Sequence, residues 1–503
     1  MGIVFRQSAK NILVTGMGAI LGAVITWVST KYIAKREYGF MGNFTNYAVT
    51  LSQILLVGLN STLSVYVHRF AENGRKKRAL LTFTFAIPVA ILCLVTVAYY
   101  MLRPWILGHF QPADQPLMNG YFEWLPFYTL LFIYMVLLEQ YLASQLKVAV
   151  AAFMREVAYR VGFMVVLLLF ATGYIGFDTL IKGSILLYAM PIVVMVWLSA
   201  RTKDFGLSLG RTDLSNAEYR EMIHFTWYHF LLASSVLLVN YMDVMLLPFY
   251  DHGGFASAAV YRNALVLISF LQIPSKALIP ASYTVLAKAF TENDLPKAAD
   301  LFRRSSNNIL IATVGMGLLL CCNLGNVLQI FPAGYADLAP VFLILALGNL
   351  VNIATGMNDQ VLSITNYYKF NFYLSLVLVV VLFVLIRVLV PQYSVFGAAW
   401  ATAITMISFN TVKCLFIWKK LGMQPFSRNT LLVLVAAAPA LVAGYFLPHF
   451  FSTVRHIYIN AFADACLRSA VIGIVYFIML LWLRPSADLT EYLAAIKKNK
   501  RLF

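Results

Sequence analysis

Apolar runs about as long as a bilayer crossing recur along the whole chain, separated by short polar or charged stretches. A membrane-spanning helix needs roughly 20 predominantly apolar residues. Runs of that kind lie near 12–30, 41–66, 79–101, 121–142, 157–174, 181–200, 226–249, 256–280, 306–326, 338–363, 370–390, 396–418, 430–447 and 465–483. The pattern predicts about fourteen transmembrane helices. The first run is too long for the apolar core of a signal peptide and no small-residue cleavage site follows it, so it reads as a retained span. Two stretches leave their breaks open. Phe122–Val150 has more than one place to divide, and Phe255–Phe290 is longer than one span, with Pro274 and Pro280 inside it.

Composition agrees. Of 503 residues, 61% are hydrophobic and only 12% charged, with mean hydropathy +0.77. Soluble domains average roughly 45–50% apolar and about 25% charged residues, and a water-facing surface needs more charge than this chain supplies. Secreted disulfide scaffolds, disordered chains and soluble nucleic-acid binders are excluded. The expected class is an all-α polytopic membrane protein.

The net charge of +17 changes the picture through its placement. With a cytoplasmic N-terminus, the inside segments and their flanks hold 28 of the 38 Lys and Arg, and the outside segments hold six. Arg262, Lys276, Arg387 and Arg468 lie within spans. Such an excess is the positive-inside signature, and it places both termini in the cytoplasm. The basic charges then set topology and touch anionic lipid headgroups, with no nucleic-acid partner implied. Arg75–Arg78 is a topology anchor or a lipid or partner site. After Pro485, Leu489, Tyr492, Leu493 and Ile496 share a helical face, and Lys497, Lys498, Lys500 and Arg501 follow; this suits a short helix on the inner leaflet. Cys93, Cys321, Cys322, Cys414 and Cys466 lie in or beside apolar runs without metal-ligand spacing, and read as packing residues.

An internal repeat is visible. Gly39-Phe40 opens one helix and Gly254-Phe255 opens another 215 residues later, while Phe70-Ala71-Glu72-Asn73 and Phe290-Thr291-Glu292-Asn293 close the two. Six helices apart, these matches predict two parallel six-helix lobes around a central cavity, a transporter arrangement. The expected division is an N-terminal lobe at 1–200, a cytoplasmic linker at 201–225, a C-terminal lobe at 226–418, two further helices within 430–483, and a basic tail at 484–503.

No phosphate loop, HExxH, GxSxG or CxxC motif is present, and every outside loop is short. The expectation is therefore transport rather than enzymology, with no resident cofactor or metal. Polar residues within spans carry the remaining information, because a charge at mid-helix costs roughly 2.5–3.5 kcal/mol on insertion scales and such residues face protein or water. Asn46, Gln53 and Asn60 recur every seven residues in the second run, near Thr50. Asn349, Asn352, Gly356 and Asp359 follow helical spacing in the tenth. Each stripe either lines a cavity or bonds neighbouring helices. Asp243 and Arg262 flank the turn near Asp251–Gly254 at similar depth on antiparallel neighbours. They read either as a structural ion pair or as a site for an anionic headgroup or coupling ion, to which Lys276 adds a second cation. Arg160 and Glu139 read as interfacial.

The layout resembles the bacterial polysaccharide repeat-unit flippases, the O-antigen type of lipid-linked oligosaccharide exporter, within the multidrug/oligosaccharidyl-lipid/polysaccharide exporter superfamily. The resemblance covers nearly the whole chain. It rests on Arg36-Glu37-Tyr38-Gly39 after the first span, Asp243 late in the seventh, and Gly254 and Tyr261 opening the eighth. Gly334-Tyr335-Ala336 before the tenth and Gly397-Ala398-Ala399 opening the twelfth complete it. It implies alternating access by two lobes plus two C-terminal helices, in the bacterial inner membrane. The implied cargo is a glycan on a polyprenyl diphosphate carrier, with H+ or Na+ as a possible driving ion and other polysaccharide-assembly membrane proteins as partners. Two alternatives share the superfamily: a cation-coupled drug exporter, and a peptidoglycan-precursor flippase. The second is marked by arginines in the N-terminal cavity. Here the first run has no Arg between Ile12 and Thr30, and the second has none before Arg69.

Overall fold

The computed structural model describes residues 2–202, 205–208, 214–448, 457–486 and 488, without the side chains of 2–13, 15, 228, 231–240, 281 and 457. The expected inner-leaflet helix at 489–496 lies outside the described residues. Among those described there is no strand, and the chain is an all-α polytopic membrane protein.

Among the described residues, eight helices are individually long and apolar enough to cross a bilayer, and two bent pairs bring the number to ten. Their outward faces carry Leu, Val, Phe and Trp in the open, as at Leu94, Val97, Val193, Phe477 and Trp482. Exposure of this kind fits contact with lipid, where backbone groups are satisfied inside each helix. Tyr368–Leu421 runs for 54 residues but breaks at Ser394, whose φ of 54° and ψ of −137° are non-helical, three residues after Pro391. It is two spans, as the runs at 370–390 and 396–418 predict. Gly2–Tyr32, Asn216–Tyr250 and the composite Val148–Ala171 supply the rest of the expected series.

The ambiguous stretches resolve with physical reasons. Trp124–Ser144 ends where Leu146 takes a positive φ of 59°, and a new helix starts at Val148. That helix continues through a π-helical turn, Met154–Ala158, into Tyr159–Ala171, so the fifth span starts earlier than 157. Phe255–Leu271 and Ile273–Thr291 form one span bent by 44°, where Pro274 lacks an N–H to continue the ladder. The second span, Lys35–Leu55 with Leu59–Arg69, bends by 50° at Val57 and Gly58, both with positive φ. The breaks at 57 and 272 are 215 residues apart, the offset of the sequence repeat. The tenth run also divides, into Leu338–Ala354 and Asn358–Ile364, at Gly356.

Two compact units emerge, Met1–Ala259 and Val260–Phe503. In the first, Trp124–Ser144 is the most buried of the eight candidate spans and packs against Lys35–Leu55, Leu59–Arg69 and Ala189–Ala200. Asn216–Tyr250 belongs to this unit. Its start is fixed by a capping box in which Ser215 Oγ accepts from Glu218 N–H at 3.2 Å and Glu218 Oε2 accepts from Ser215 N–H at 2.8 Å. Lys76 Nζ lies 2.6 Å from Glu218 Oε1, and this contact, followed by the Ser215 N–H, holds the Glu218 carboxyl down at about 2. In the second unit, Leu295–Cys322 packs on Ile273–Thr291, Leu338–Ala354 and Arg428–Phe446. The five cysteines are free thiols and none is fully buried; Cys93 and Cys466 are exposed. Cys322 packs against the apolar core of the second unit, as expected, whereas Cys93 and Cys466 face outward.

Candidate functional site

The first unit gathers four charges from two neighbouring spans. Glu139 lies near the end of Trp124–Ser144, Arg155 and Glu156 in the π-helical turn, and Arg160 just beyond it. Arg155 Nη1 is 2.7 Å from Glu139 Oε2, and its Nε is 3.0 Å from Glu156 Oε1. Arg160 Nη2 is 2.9 Å from Glu156 Oε2 and its Nη1 donates to the Gly18 carbonyl oxygen. Glycines at 18 and 22 make room on Gly2–Tyr32: a Cβ at 18 would stand 2.9 Å from Glu156 Cβ, and one at 22 would stand 3.2 Å from Arg160 Nη1. Small residues at this spacing let helices approach closely. The carboxylates are mostly covered, at 17% and 19%, whereas the Arg155 side chain is 47% exposed. The network therefore presents its cationic side. A guanidinium so placed has donors left for an incoming phosphate or carboxylate.

The sequence pattern places Glu139 and Arg160 at the interface and does not single out Arg155. The clue was present: Glu156 and Arg160 are four apart, a helical ion-pair spacing. The π turn that aims Arg155 back at Glu139 has no comparable signal.

A second polar cluster joins the loop before Trp124 to the next repeat. Asp114 is fully buried; its Oδ2 accepts from Phe255 N–H at 2.9 Å and its Oδ1 lies 3.2 Å from Arg36 Nε. Asp251 is the nearby like charge. Burial raises the Asp114 carboxyl above its ordinary value, against the lowering effects of the Phe255 N–H and Arg36. Asp114 thus caps the start of Phe255–Leu271, and sequence reading did not single it out.

The predicted residues fall as follows. Asn46, Gln53 and Asn60 are all half-buried, while Asn43 and Thr50 are buried. The break at Val57–Gly58 separates Asn60 from the other two, so the seven-residue stripe is not one continuous helical face. Asn349 accepts from Gln272 Nε2 at 2.7 Å, an interhelical bond made by the residue at the bend of the eighth span. Asn352 is half-buried; Asp359 lies beyond Gly356 on a separate short helix, where its Oδ1 meets Lys413 Nζ at 2.6 Å. Lys413, which the sequence pattern does not single out, is buried. Asp243 is buried in the first unit, where its Oδ1 accepts from Val244 N–H at 2.8 Å. Arg262 is half-buried and Lys276 exposed, both in the second. Arg468, noted only as an intramembrane charge, pairs with Asp464 at 3.2 Å, each side chain 4% exposed. It also donates to the Gly444 carbonyl oxygen. Asn326 Nδ2 donates to Asp464 Oδ2 at 2.8 Å. No group of three or more potential metal ligands occurs among the described residues.

No family model matches the chain, and no curated protein matches it. Solved structures do. A lipid II flippase, MurJ, in an inward closed conformation, aligns with a TM-score of 0.72 at 14% identity, over 95% of this chain and 99% of its own. An inward-facing multidrug resistance transporter of the MATE family, in the MOP superfamily, aligns at 0.64 and 13% identity, over 80% of this chain and 94% of its own. The MATE transporter VcmN of Vibrio cholerae aligns at 0.55 and 12% identity, over 84% and 98%. The chain has the fold of MOP-superfamily transporters. These neighbours are a flippase and transporters, not enzymes.

Proposed function

We propose that this protein is a flippase that moves a polyprenyl-diphosphate-linked oligosaccharide from the inner to the outer leaflet of the bacterial inner membrane by alternating access. The observation that carries the reading is coverage: the fold of a lipid II flippase extends over 95% of the chain, against 80% and 84% for the drug transporters. The chemistry fits. A diphosphate headgroup cannot cross hydrocarbon unaided, since an isolated buried ion costs many kcal/mol. Arg155 and Arg160 can exchange carboxylate oxygens for phosphate oxygens, so the headgroup replaces Glu139 and Glu156 as their partner while the polyprenyl tail stays in lipid. Glu139 and Glu156, once released, take up H+ or another cation. Asp243, Arg262 and Lys276 remain candidates for a later contact, and the polar stripes of Asn46, Gln53, Asn60, Asn349, Asn352 and Asp359 for the sugar path. Both termini lie in the cytoplasm on this reading, where polysaccharide-assembly membrane proteins would meet the chain.

The likeness to a lipid II flippase favours a second cargo, the peptidoglycan precursor. The absence of arginine from the apolar runs at 12–30 and 41–66 weighs against it. Purified protein in vesicles, loaded with fluorescent polyprenyl-diphosphate oligosaccharide or with lipid II, separates the readings. Movement of the oligosaccharide lipid alone is expected. Movement of lipid II alone reverses the assignment, and uptake of cationic dye with neither lipid moved replaces it with drug export.

A further inference from the structure

At one end of the second unit, the beginnings of Leu295–Cys322 and Arg428–Phe446 and the chain just after Leu483 enclose a cavity of about 260 Å³. Its carboxylates are already answered. Arg304 Nε stands 2.8 Å from Asp300 Oδ2 and its Nη1 3.4 Å from Asp488 Oδ1, and Asn308 Nδ2 donates to Asp488 Oδ2 at 2.6 Å. Arg303 and Arg428 line the same cavity, and among the described residues neither has a hydrogen bond or ion pair. Two unanswered guanidinium groups in one small polar cavity call for an anion.

Three further features define which anion. Arg428 opens a 19-residue helix whose first residues, with Ser427 before them, line the cavity, so the positive end of the helix dipole lies at the same place. Asn307 is buried beside the cavity, with Nδ2 donating to the Pro485 carbonyl oxygen at 2.8 Å and Oδ1 without a partner. That acceptor suits a ligand that also carries a hydroxyl. Finally, Leu431, Leu434 and Val435, one to two turns along from Arg428, are exposed and offer an apolar track leading away from the charges.

We propose that this cavity binds a phosphate-bearing headgroup, that of an anionic glycerophospholipid. Arg303 and Arg428 would take the phosphate oxygens, since guanidinium matches phosphate with paired donors. A headgroup hydroxyl would donate toward Asn307, and an acyl chain would lie along Leu431 and Leu434. A cavity of this size is below the roughly 300–1,000 Å³ of drug-sized pockets and accommodates a phosphoglycerol group. Basic pockets between spans near the membrane surface are the usual form of such sites. The inference is independent of the cargo assigned above.

The test uses the full-length purified protein and native mass spectrometry, titrated with dioleoyl-phosphatidylglycerol, with dioleoyl-phosphatidylcholine, and with inorganic phosphate. Phosphatidylglycerol should bind in preference to phosphatidylcholine. The R303Q and R428Q variants should each weaken it by about tenfold, the scale of one lost charge-assisted contact, and the double variant should weaken it further. Both side chains are exposed and, among the described residues, unpaired; elution of each variant as a single folded species is checked first, and the single variants carry the test if the double one does not elute so. Competition by inorganic phosphate at millimolar concentration, with no preference between the lipids, identifies free phosphate as the occupant instead and overturns the lipid assignment. Unchanged phosphatidylglycerol binding in the variants overturns the site.

Discussion

Phe40 and Phe255, equivalent positions of the internal repeat, pack against each other edge to face with ring centroids 5.1 Å apart. Both are fully buried. One residue earlier, Gly39 lies so close to the partner backbone that a Cβ would stand 1.8 Å from the Phe255 carbonyl oxygen. The opening of the second repeat is thus built into the first compact unit, clamped by rings, by a bare glycine and by Asp114.

Gly39 should tolerate no side chain in this state. A Cβ at that distance cannot be relieved by a rotamer change, because the atom it meets is backbone. Gly39→Val is expected to separate the two helix openings and to lower transport. A short bifunctional thiol reagent linking F40C to F255C reads the separation directly: strong linking in the parent background, and loss of it with Gly39→Val. Equal linking in both would show that the packing is dispensable.

Asp114 should act mainly as a hydrogen-bond acceptor. Burial disfavours its ionised form, so its carboxyl titrates above the ordinary 3.8. With a folded-state value raised above the unfolded one, the stabilising contribution is complete below that ordinary value and is lost as pH rises through the raised one. Asp114→Asn keeps an acceptor for Phe255 N–H and removes the buried charge, so its thermal midpoint at pH 7 should equal or exceed the parent's. Its midpoint should also depend less on pH between 4 and 7. Asp114→Ala leaves the buried N–H unpaired and should lose about 1–3 kcal/mol. A loss with Asn as large as with Ala would contradict this role and give the Arg36 ion pair the main part.

The spans were legible in the chain because hydrophobic length is a direct consequence of bilayer thickness. The Ser394 break, the repeat offset and the all-α class all follow from patterns that act locally. Charge pairing was much less legible. Glu139 meets Arg155 across a turn whose extra residue leaves no periodic trace, and Asp359 meets Lys413 from 54 positions away. Polar stripes mislead for a related reason. Asn46, Gln53 and Asn60 hold a seven-residue spacing on paper, but two positive-φ residues at 57 and 58 reset the helix between them.

Arg468 and Asp464 should behave as a structural pair. Both are buried, and Gly444 and Asn326 satisfy further donors and acceptors around them. Removing one partner of such a pair strands the other charge, at about 3–5 kcal/mol. Arg468→Met is therefore expected to reduce folded protein sharply, while the double change Arg468→Met with Asp464→Leu recovers much of it. Normal abundance of the single variant would remove the pair from the account of how Arg428–Phe446 holds to Ile457–Leu483.

The Glu139–Arg155 pair separates a structural from a transport role more sharply. As a clamp between Trp124–Ser144 and the π-helical turn, it should respond to charge balance alone. Glu139→Gln would then destabilise the protein, and adding Arg155→Gln would restore both abundance and transport. In transport, Arg155 has work that neutrality does not replace, because the diphosphate must displace a carboxylate from a guanidinium that remains charged. The double variant should then reach the membrane at parental levels yet move lipid-linked glycan at least about tenfold more slowly, as expected for a lost charge-assisted contact. Arg155→Lys adds a second reading. It keeps the charge and loses the paired geometry, so it should retain partial activity with weaker apparent affinity for the lipid. Parental transport in the double neutral variant, normalised to membrane abundance, would leave the network as a clamp and move the search for the headgroup site to Asp243, Arg262 and Lys276.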